Sequence, residues 1–189
     1  EATIELLRES HWQYTFGDDI HRRYTDPLIE DDLRAFLAAQ YKNKELTASE
    51  MDGIVANLRN TSGQNDYYAL QNTFLLYRDG YDFTYSDGRD NPFRLQYIDF
   101  EHPDHNIFRC VNQFVMEQGR ENRRPDILLF VNGIPVCIIE LKNPTKQNAT
   151  IRDAHTQICT RYMRDIPALL KYCALAVISD GAKNELGTT

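Results

Sequence analysis

Apolar and polar residues recur with two different periods along this chain, and the change of period divides it. Residues 2–9 set Ile4, Leu6 and Leu7 on one side of a short helix. In residues 29–42, Ile29, Leu33, Phe36, Leu37 and Tyr41 recur at the three- and four-residue spacing that lines one face of an α-helix. Glu30, Asp31 and Asp32 load its first turn, where the helix dipole favours negative charge. Thr47-Ala48-Ser49-Glu50 is a capping box and predicts a helix to about Leu58. The first third is therefore mainly helical. Residues 65–100 change character. Tyr67, Tyr68, Phe74, Tyr77, Tyr81, Phe83, Tyr85, Phe93, Tyr97 and Phe100 are interrupted by Asp79-Gly80 and Asp87-Gly88, which predicts strands and turns. Residues 107–116 predict a further strand. No internal repeat or low-complexity linker appears, so one domain over residues 1–189 is expected, mainly helical to about 60 and sheet-containing from about 65.

The most informative stretch follows. Ile127 to Val131 and Ile134 to Leu141 are two apolar, β-prone runs, and Asn132-Gly133 between them is a strong hairpin signal. Runs apolar on both faces indicate central strands covered on both sides. Such strands hold a charge badly, because an unpaired buried carboxylate costs several kcal/mol or becomes neutral. Yet Asp126 opens the first strand and Glu140 and Lys142 end the second. The hairpin brings both ends to one edge of the sheet, and alternation puts Glu140 and Lys142 on one face. Whether Asp126 joins them depends on the turn. A two-residue loop pairs Asp126 with Ile139 and sends Glu140 to the other face. A three-residue loop at 131–133, with Gly133 in a left-handed bulge, sets Asp126 diagonal to Glu140 with all three side chains on one face. Convergence requires that loop or a bulge elsewhere.

Three such groups at one point suit phosphodiester hydrolysis. Two carboxylates bind a hard cation such as Mg²⁺, which keeps some waters and takes phosphate oxygens as further ligands. The metal activates a bound water, and the lysine beside it orients the nucleophile and offsets negative charge. Spacing alone fits a buried Glu–Lys pair with an Asp at a strand start equally well.

Composition narrows the picture. Four cysteines with no CxxC pair read as reduced, mostly buried thiols in a cytoplasmic protein. No apolar run approaches the roughly 18 residues of a membrane span. EATIELLRES at the start has neither a secretion-signal pattern nor an initiator Met, and reads as part of a longer chain. A net charge of −7 argues against a protein that coats DNA unspecifically. Residues 120–171, however, carry nine Lys or Arg against five Asp or Glu, which suits local phosphate contact.

The string RRPDILLFVNGIPVCIIELKNP, residues 123–144, closely resembles the nuclease motif of the R subunit of type I restriction enzymes, within the PD-(D/E)xK superfamily. YTFGDDIHRRYTDPLIEDDL at 14–33, VNQF at 111–114, RDIPALLKY at 164–172 and AVISDG at 176–181 extend the likeness in the same order along nearly the whole chain. The resemblance implies an α/β fold, a restriction-endonuclease-like mixed sheet flanked by helices, with a helical N-terminal portion. It implies Asp126 and Glu140 as Mg²⁺ ligands, with the Leu141 main-chain carbonyl as a further ligand, and Lys142 as the catalytic lysine. The family's N-terminal helical glutamate corresponds best to Glu1, with Glu5 a weaker match. Its QxxxY motif corresponds to Gln157, but four residues on stands Arg161, and Tyr162 comes five residues on. A regular helix would not put Gln157 and Tyr162 on one face. Either a π-bulge realigns them, or Arg161 takes part of the role.

Arg124, Lys146 and Arg161 are candidate contacts to the DNA backbone. The implied partners are double-stranded DNA and the methyltransferase and specificity subunits. ATP would enter only through motor domains, since no GxxxxGK[ST] loop is present here. Two alternatives stand beside this reading. A repair nuclease of the same superfamily should lack the long match outside the hairpin. A docking module would carry a silent site. His102-Pro103-Asp104-His105 suggests a metal site only weakly, because no second His or Cys cluster completes it, and it reads as a polar loop.

Overall fold

The computed structural model describes residues 2–89, 92–142, 155–180 and 183–188, without the Cys159 side chain. The chain opens with α1 (Ala2–Glu9) and β1 (Gln13–Phe16), and continues through α2 (Glu30–Gln40), α3 (Ala48–Arg59) and α4 (Asp66–Asp79). Short strands β2 (Tyr81–Phe83) and β3 (Phe93–Leu95) form a separate ribbon, as do β5 (Met116–Gln118) and β6 (Glu121–Arg123). The main sheet takes β4 (Phe108–Asn112), β7 (Ile127–Val131), β8 (Ile134–Leu141), β9 (Leu175–Ser179) and β10 (Asn184–Gly187), with β1 at its edge. Its order is β1-β4-β7-β8-β9-β10. The β1–β4 and β8–β9 pairs are parallel and the others antiparallel. This mixed sheet flanked by helices is the restriction-endonuclease-like α/β architecture that was expected.

Residues 66–79 are a correction: they form a helix where strands were expected. The Asn65 side chain accepts the Tyr68 N–H as an N-cap. Thr73 and Tyr77, four residues apart, bury the same helical face. The aromatic content was real, but its spacing was that of a helix. The strand expected over 107–116 also breaks, at Gln113, which adopts a left-handed φ of 56°.

Both faces of the sheet are covered. On one, Val111, Leu128, Phe130, Ile138, Ala176 and Ile178 pack with Ile158, Tyr162, Ile166 and Leu169 from the helical segment before β9. On the other, Ile127, Cys137 and Ile139 pack against Ile4 and Leu7 of α1. Helices α2 to α4 and the β2–β3 ribbon form a second core with Val131, Ile134 and Tyr172. Cys110, Cys137 and Cys173 are buried. No helix among the described residues is long and apolar enough to cross a membrane.

The expected capping box is present and reaches further than its own helix. Glu50 accepts from the Thr47 N–H and hydroxyl, and also from the Ser86 N–H and hydroxyl, which ties the start of α3 to the loop after β2. These bonds hold its carboxyl down at about 2, against an ordinary 4.5. A depressed folded-state pKa contributes stability that is fully present above the unfolded value and is lost as the pH falls through the folded one. Glu50→Gln should therefore be less stable than the parent at pH 7. The difference should shrink as the pH falls from 4.5 toward 2, measured by urea unfolding across that range.

Candidate active site

The turn between β7 and β8 differs from expectation in its form. Val131 pairs with Ile134, so the loop is the two-residue Asn132-Gly133, both with positive φ (51° and 75°), a type I′ geometry. The expected three-residue loop is absent. The parity is restored within β8, where Phe130 pairs with Pro135 but Leu129 pairs with Cys137, leaving Val136 as an extra, bulged residue. Pro135 has no N–H to give a ladder, which makes this the natural place for the break. The Val136 carbonyl turns to accept the N–H of Ala174 at the entry to β9, 2.9 Å away. Beyond the bulge Ile127 faces Ile139. One residue further, Asp126 stands directly across from Glu140 rather than diagonal to it.

Asp126, Glu140 and Lys142 thus share one face at the rim where β4, β8 and β9 end and β7 begins. The Glu140 side chain is 1% exposed. Burial first, and the charge of Asp126 second, push its carboxyl up to about 7, while the Tyr162 hydroxyl and Lys142 oppose the rise. Asp126 accepts the Leu141 N–H on Oδ2 at 2.8 Å, and its own carbonyl accepts the Gln113 N–H at 3.2 Å. Lys142 Nζ lies 3.8 Å from Glu140 Oε2 and donates to Gln157 Oε1 at 2.6 Å.

Residues 157–162 are a π-helical turn, in which Met163 donates its N–H to the Ile158 carbonyl five residues back. The wider turn brings Gln157 and Tyr162 together. Gln157 Nε2 donates to Glu140 Oε2 at 2.8 Å and to the Tyr162 hydroxyl oxygen at 2.6 Å. Tyr162 in turn donates to Glu140 Oε1 at 2.8 Å. The Tyr162 ring packs in the core, 3% exposed, while its hydroxyl reaches the carboxylate. Burial raises the phenol well above its usual range, so it stays a donor. Both Glu140 oxygens are thereby satisfied, as a buried carboxylate requires. Strand β6, just before Arg124, is tied to the same helical segment by Arg123, whose Nε donates to the buried Asp165 at 2.7 Å.

Other expected residues fall elsewhere. Arg161 and Arg124 are exposed, and Arg161 makes none of the bonds above. Glu5 is exposed on α1, which packs on the sheet face opposite Asp126 and Glu140. Glu1 and Lys146 lie outside the described residues, as does the first part of the helix expected over 150–165. Gln113, whose backbone holds Asp126, was not singled out, and its signal was the register of its strand alone.

The donor set fits a hard divalent cation. Two carboxylates stand face to face, and the Lys142 ammonium reaches Glu140 only at 3.8 Å. The His102–His105 loop gains a partner, because Asp99 Oδ2 is 3.0 Å from His105 Nδ1 and 3.7 Å from His102 Nδ1. Asp99 is already used, however, accepting from the Glu101 and His102 N–H groups and from Gln40. Its bonds fold the loop. A cavity of about 600 Å³, lined by Arg22, Asp26, Glu30, Arg59 and Lys171, does not include the carboxylate pair, which opens on the rim.

The family model for the N terminus of the type I restriction enzyme R protein matches residues 1–189. The HindI endonuclease subunit of Haemophilus influenzae is 29% identical over 197 residues, covering 100% of this chain and 18% of that protein. A Methanocaldococcus jannaschii relative assigned as the MjaIXP endonuclease subunit is 32% identical over 203 residues, covering 99% of this chain and 18% of that protein. The EcoprrI endonuclease subunit of Escherichia coli is 35% identical over 105 residues, 53% of this chain and 31% of that protein. The chain thus spans about a fifth of the length of the first two. The likeness runs over the whole chain and far beyond the hairpin, and the chain belongs to the family of type I restriction enzyme R protein N-terminal regions.

Proposed function

We propose that this chain is a metal-dependent endonuclease domain that hydrolyses phosphodiester bonds of double-stranded DNA. One observation carries the reading: a single bulge at Val136 sets Asp126 opposite Glu140, with Lys142 on the same face. Nothing in an ordinary hairpin calls for two acids and a lysine at one point, and among the described residues the pair of Lys142 with Glu140 gives Asp126 no cation of its own.

Asp126 and Glu140, with the Leu141 carbonyl, would hold Mg²⁺. When bound, the ion would lower the pKa of a water and offset charge developing on the phosphate. Lys142, on the same face and little exposed, would orient the attacking water and supply a fixed positive charge in a poorly hydrated place. Gln157 holds that lysine by its oxygen and Glu140 by its nitrogen, and Tyr162 fixes the second Glu140 oxygen. Those bonds orient a carboxylate that burial would otherwise favour as the neutral acid. Arg124, Arg161 and Lys146 would contact DNA phosphates flanking the scissile bond. In the whole subunit, DNA would be delivered by ATP-driven motor domains, alongside methyltransferase and specificity subunits in the cytoplasm.

The test is made in the whole enzyme, with ATP hydrolysis and DNA cleavage assayed separately in Asp126→Ala and Lys142→Ala. Loss of cleavage with ATP hydrolysis retained supports the nuclease reading. Cleavage that survives both changes sinks it in favour of a docking module.

A further inference from the structure

We infer that Gly17 and Gln113 are a positioning element for the Asp126 carboxylate, a deduction that rests on the nuclease reading above. Three neighbouring registers lead to it. Phe16 of β1 lies opposite Asn112 of β4, so Gly17 comes level with Gln113. Asn112 in turn lies opposite Ile127 of β7, so Gln113 comes level with Asp126. The three backbones stand in one row at the rim that carries the carboxylates.

Gln113 takes a φ of 56°, a left-handed conformation that residues with a Cβ adopt reluctantly. Its N–H continues the β4–β7 ladder to the Asp126 carbonyl, 3.2 Å away. The left-handed turn then takes the chain out of the strand at that bond, so that Phe114 is fully buried against Phe130 at a ring distance of 5.3 Å. Gly17 makes the arrangement fit. A Cβ there would meet the Gln113 carbonyl oxygen at 2.5 Å, its carbon at 2.8 Å and Phe114 Cα at 2.9 Å. All three are backbone atoms, so no side-chain rotation relieves the clash. Gln113 is held between Gly17 on one side and the anchored Phe114 on the other.

Asp126 is therefore located twice, by Gln113 at its main-chain carbonyl and by the Leu141 N–H at Oδ2. If Gln113 shifts, Asp126 tilts relative to Glu140. Mg²⁺ demands near-ideal octahedral geometry and tolerates little of this. Gln113 and Gly17 need touch neither metal nor DNA to act.

The test compares Gly17→Ala, Gln113→Val and Gln113→Gly. Valine resists a left-handed φ, whereas glycine keeps both that conformation and the N–H. In the metal-free 189-residue chain, the Leu141 amide should exchange with solvent faster in Gly17→Ala and Gln113→Val, while the mid-strand Ile138 amide stays as in the parent. In the whole enzyme, the Mn²⁺ concentration for half-maximal cleavage should rise about tenfold or more in those two, in line with losing support behind a metal ligand. The maximal rate should largely recover at saturating Mn²⁺. Gln113→Gly should match the parent in both measurements. Parent-like exchange and metal requirement in Gln113→Val overturn the inference, and so does a Gln113→Gly as impaired as the valine variant. Should Gly17→Ala not fold, the two variants at half-buried Gln113 decide the matter. A parent enzyme that cleaves without Mn²⁺ or Mg²⁺ would instead sink the metal-dependent reading of the site, and the Leu141 exchange would still report the contact.

Discussion

Lys142→Ala should slow DNA cleavage by about a hundred- to a thousandfold while leaving divalent-metal affinity nearly unchanged. Asp126→Ala should lower both. The distinction follows from where the two groups stand. Asp126 is one of two facing carboxylates, and in the proposed site its loss would leave a single acid to hold the cation. Lys142 is no ligand. Its ammonium is 3.8 Å from Glu140 Oε2, bonded to Gln157, and its side chain is 18% exposed. A fixed charge in such a place acts on developing negative charge more strongly than it would in water. Lys142→Arg should not restore the rate, because the planar guanidinium is wider than a point-like ammonium and would displace Gln157. Titration of Mn²⁺ by calorimetry, with single-turnover cleavage at saturating metal, separates the two effects. Equal losses of metal affinity in both variants would contradict the roles assigned.

The second large effect belongs to the far end of the hairpin. Asn132→Ala should destabilise the fold by about 3–5 kcal/mol, with no change in cleavage per folded molecule. This turn residue is fully buried. Its Oδ1 accepts the Ile107 N–H at 2.7 Å, and its Nδ2 donates to the Tyr97 carbonyl at 2.9 Å and to Asn106 Oδ1 at 2.8 Å. Alanine leaves three polar groups in this buried site without these partners and must still adopt a positive φ. Gly133 is as constrained: a Cβ there would run into the Ile29 carbonyl at the start of α2, and φ is 75°. The Gly133 carbonyl accepts the Ile29 N–H at 2.9 Å. Asn132→Asp should be worse than alanine, since it directs a carboxylate at a carbonyl. Urea unfolding gives the stability loss, and an alanine variant within about 1 kcal/mol of the parent would refute this account.

Much of this was legible in the chain. Asn132-Gly133 announced a hairpin, and the apolar runs beside it announced central strands. Together they placed Asp126, Glu140 and Lys142 at one rim, and the five-residue gap from Gln157 to Tyr162 left a wider helical turn or a part for Arg161 as the alternatives. Other features depended on tertiary context. Pro135 marked the bulge locally, but only the demand for parity gave it meaning. Nothing local to Asn132-Gly133 says that α2 and the loop after β3 will close over the turn. Residues 66–79 misled because tyrosine and phenylalanine serve helices and strands alike, and their period decides. The hold on Asp126 could not be read, since it joins residues 17, 113 and 126 through backbone alone.

The bulge at Val136 also sets a rule of counting. With a two-residue turn, residues that face each other across a hairpin are an odd number of positions apart. Asp126 and Glu140 are fourteen apart. An even interval reaches one face only if one strand carries an odd number of supernumerary residues, here one. Deleting Val136 would shorten the interval to thirteen, and a regular ladder would still set Glu140 opposite Asp126. A residue lost with the bulge kept, or the bulge straightened with no residue lost, would instead turn Glu140 to the other face, so residue number and bulge must change together.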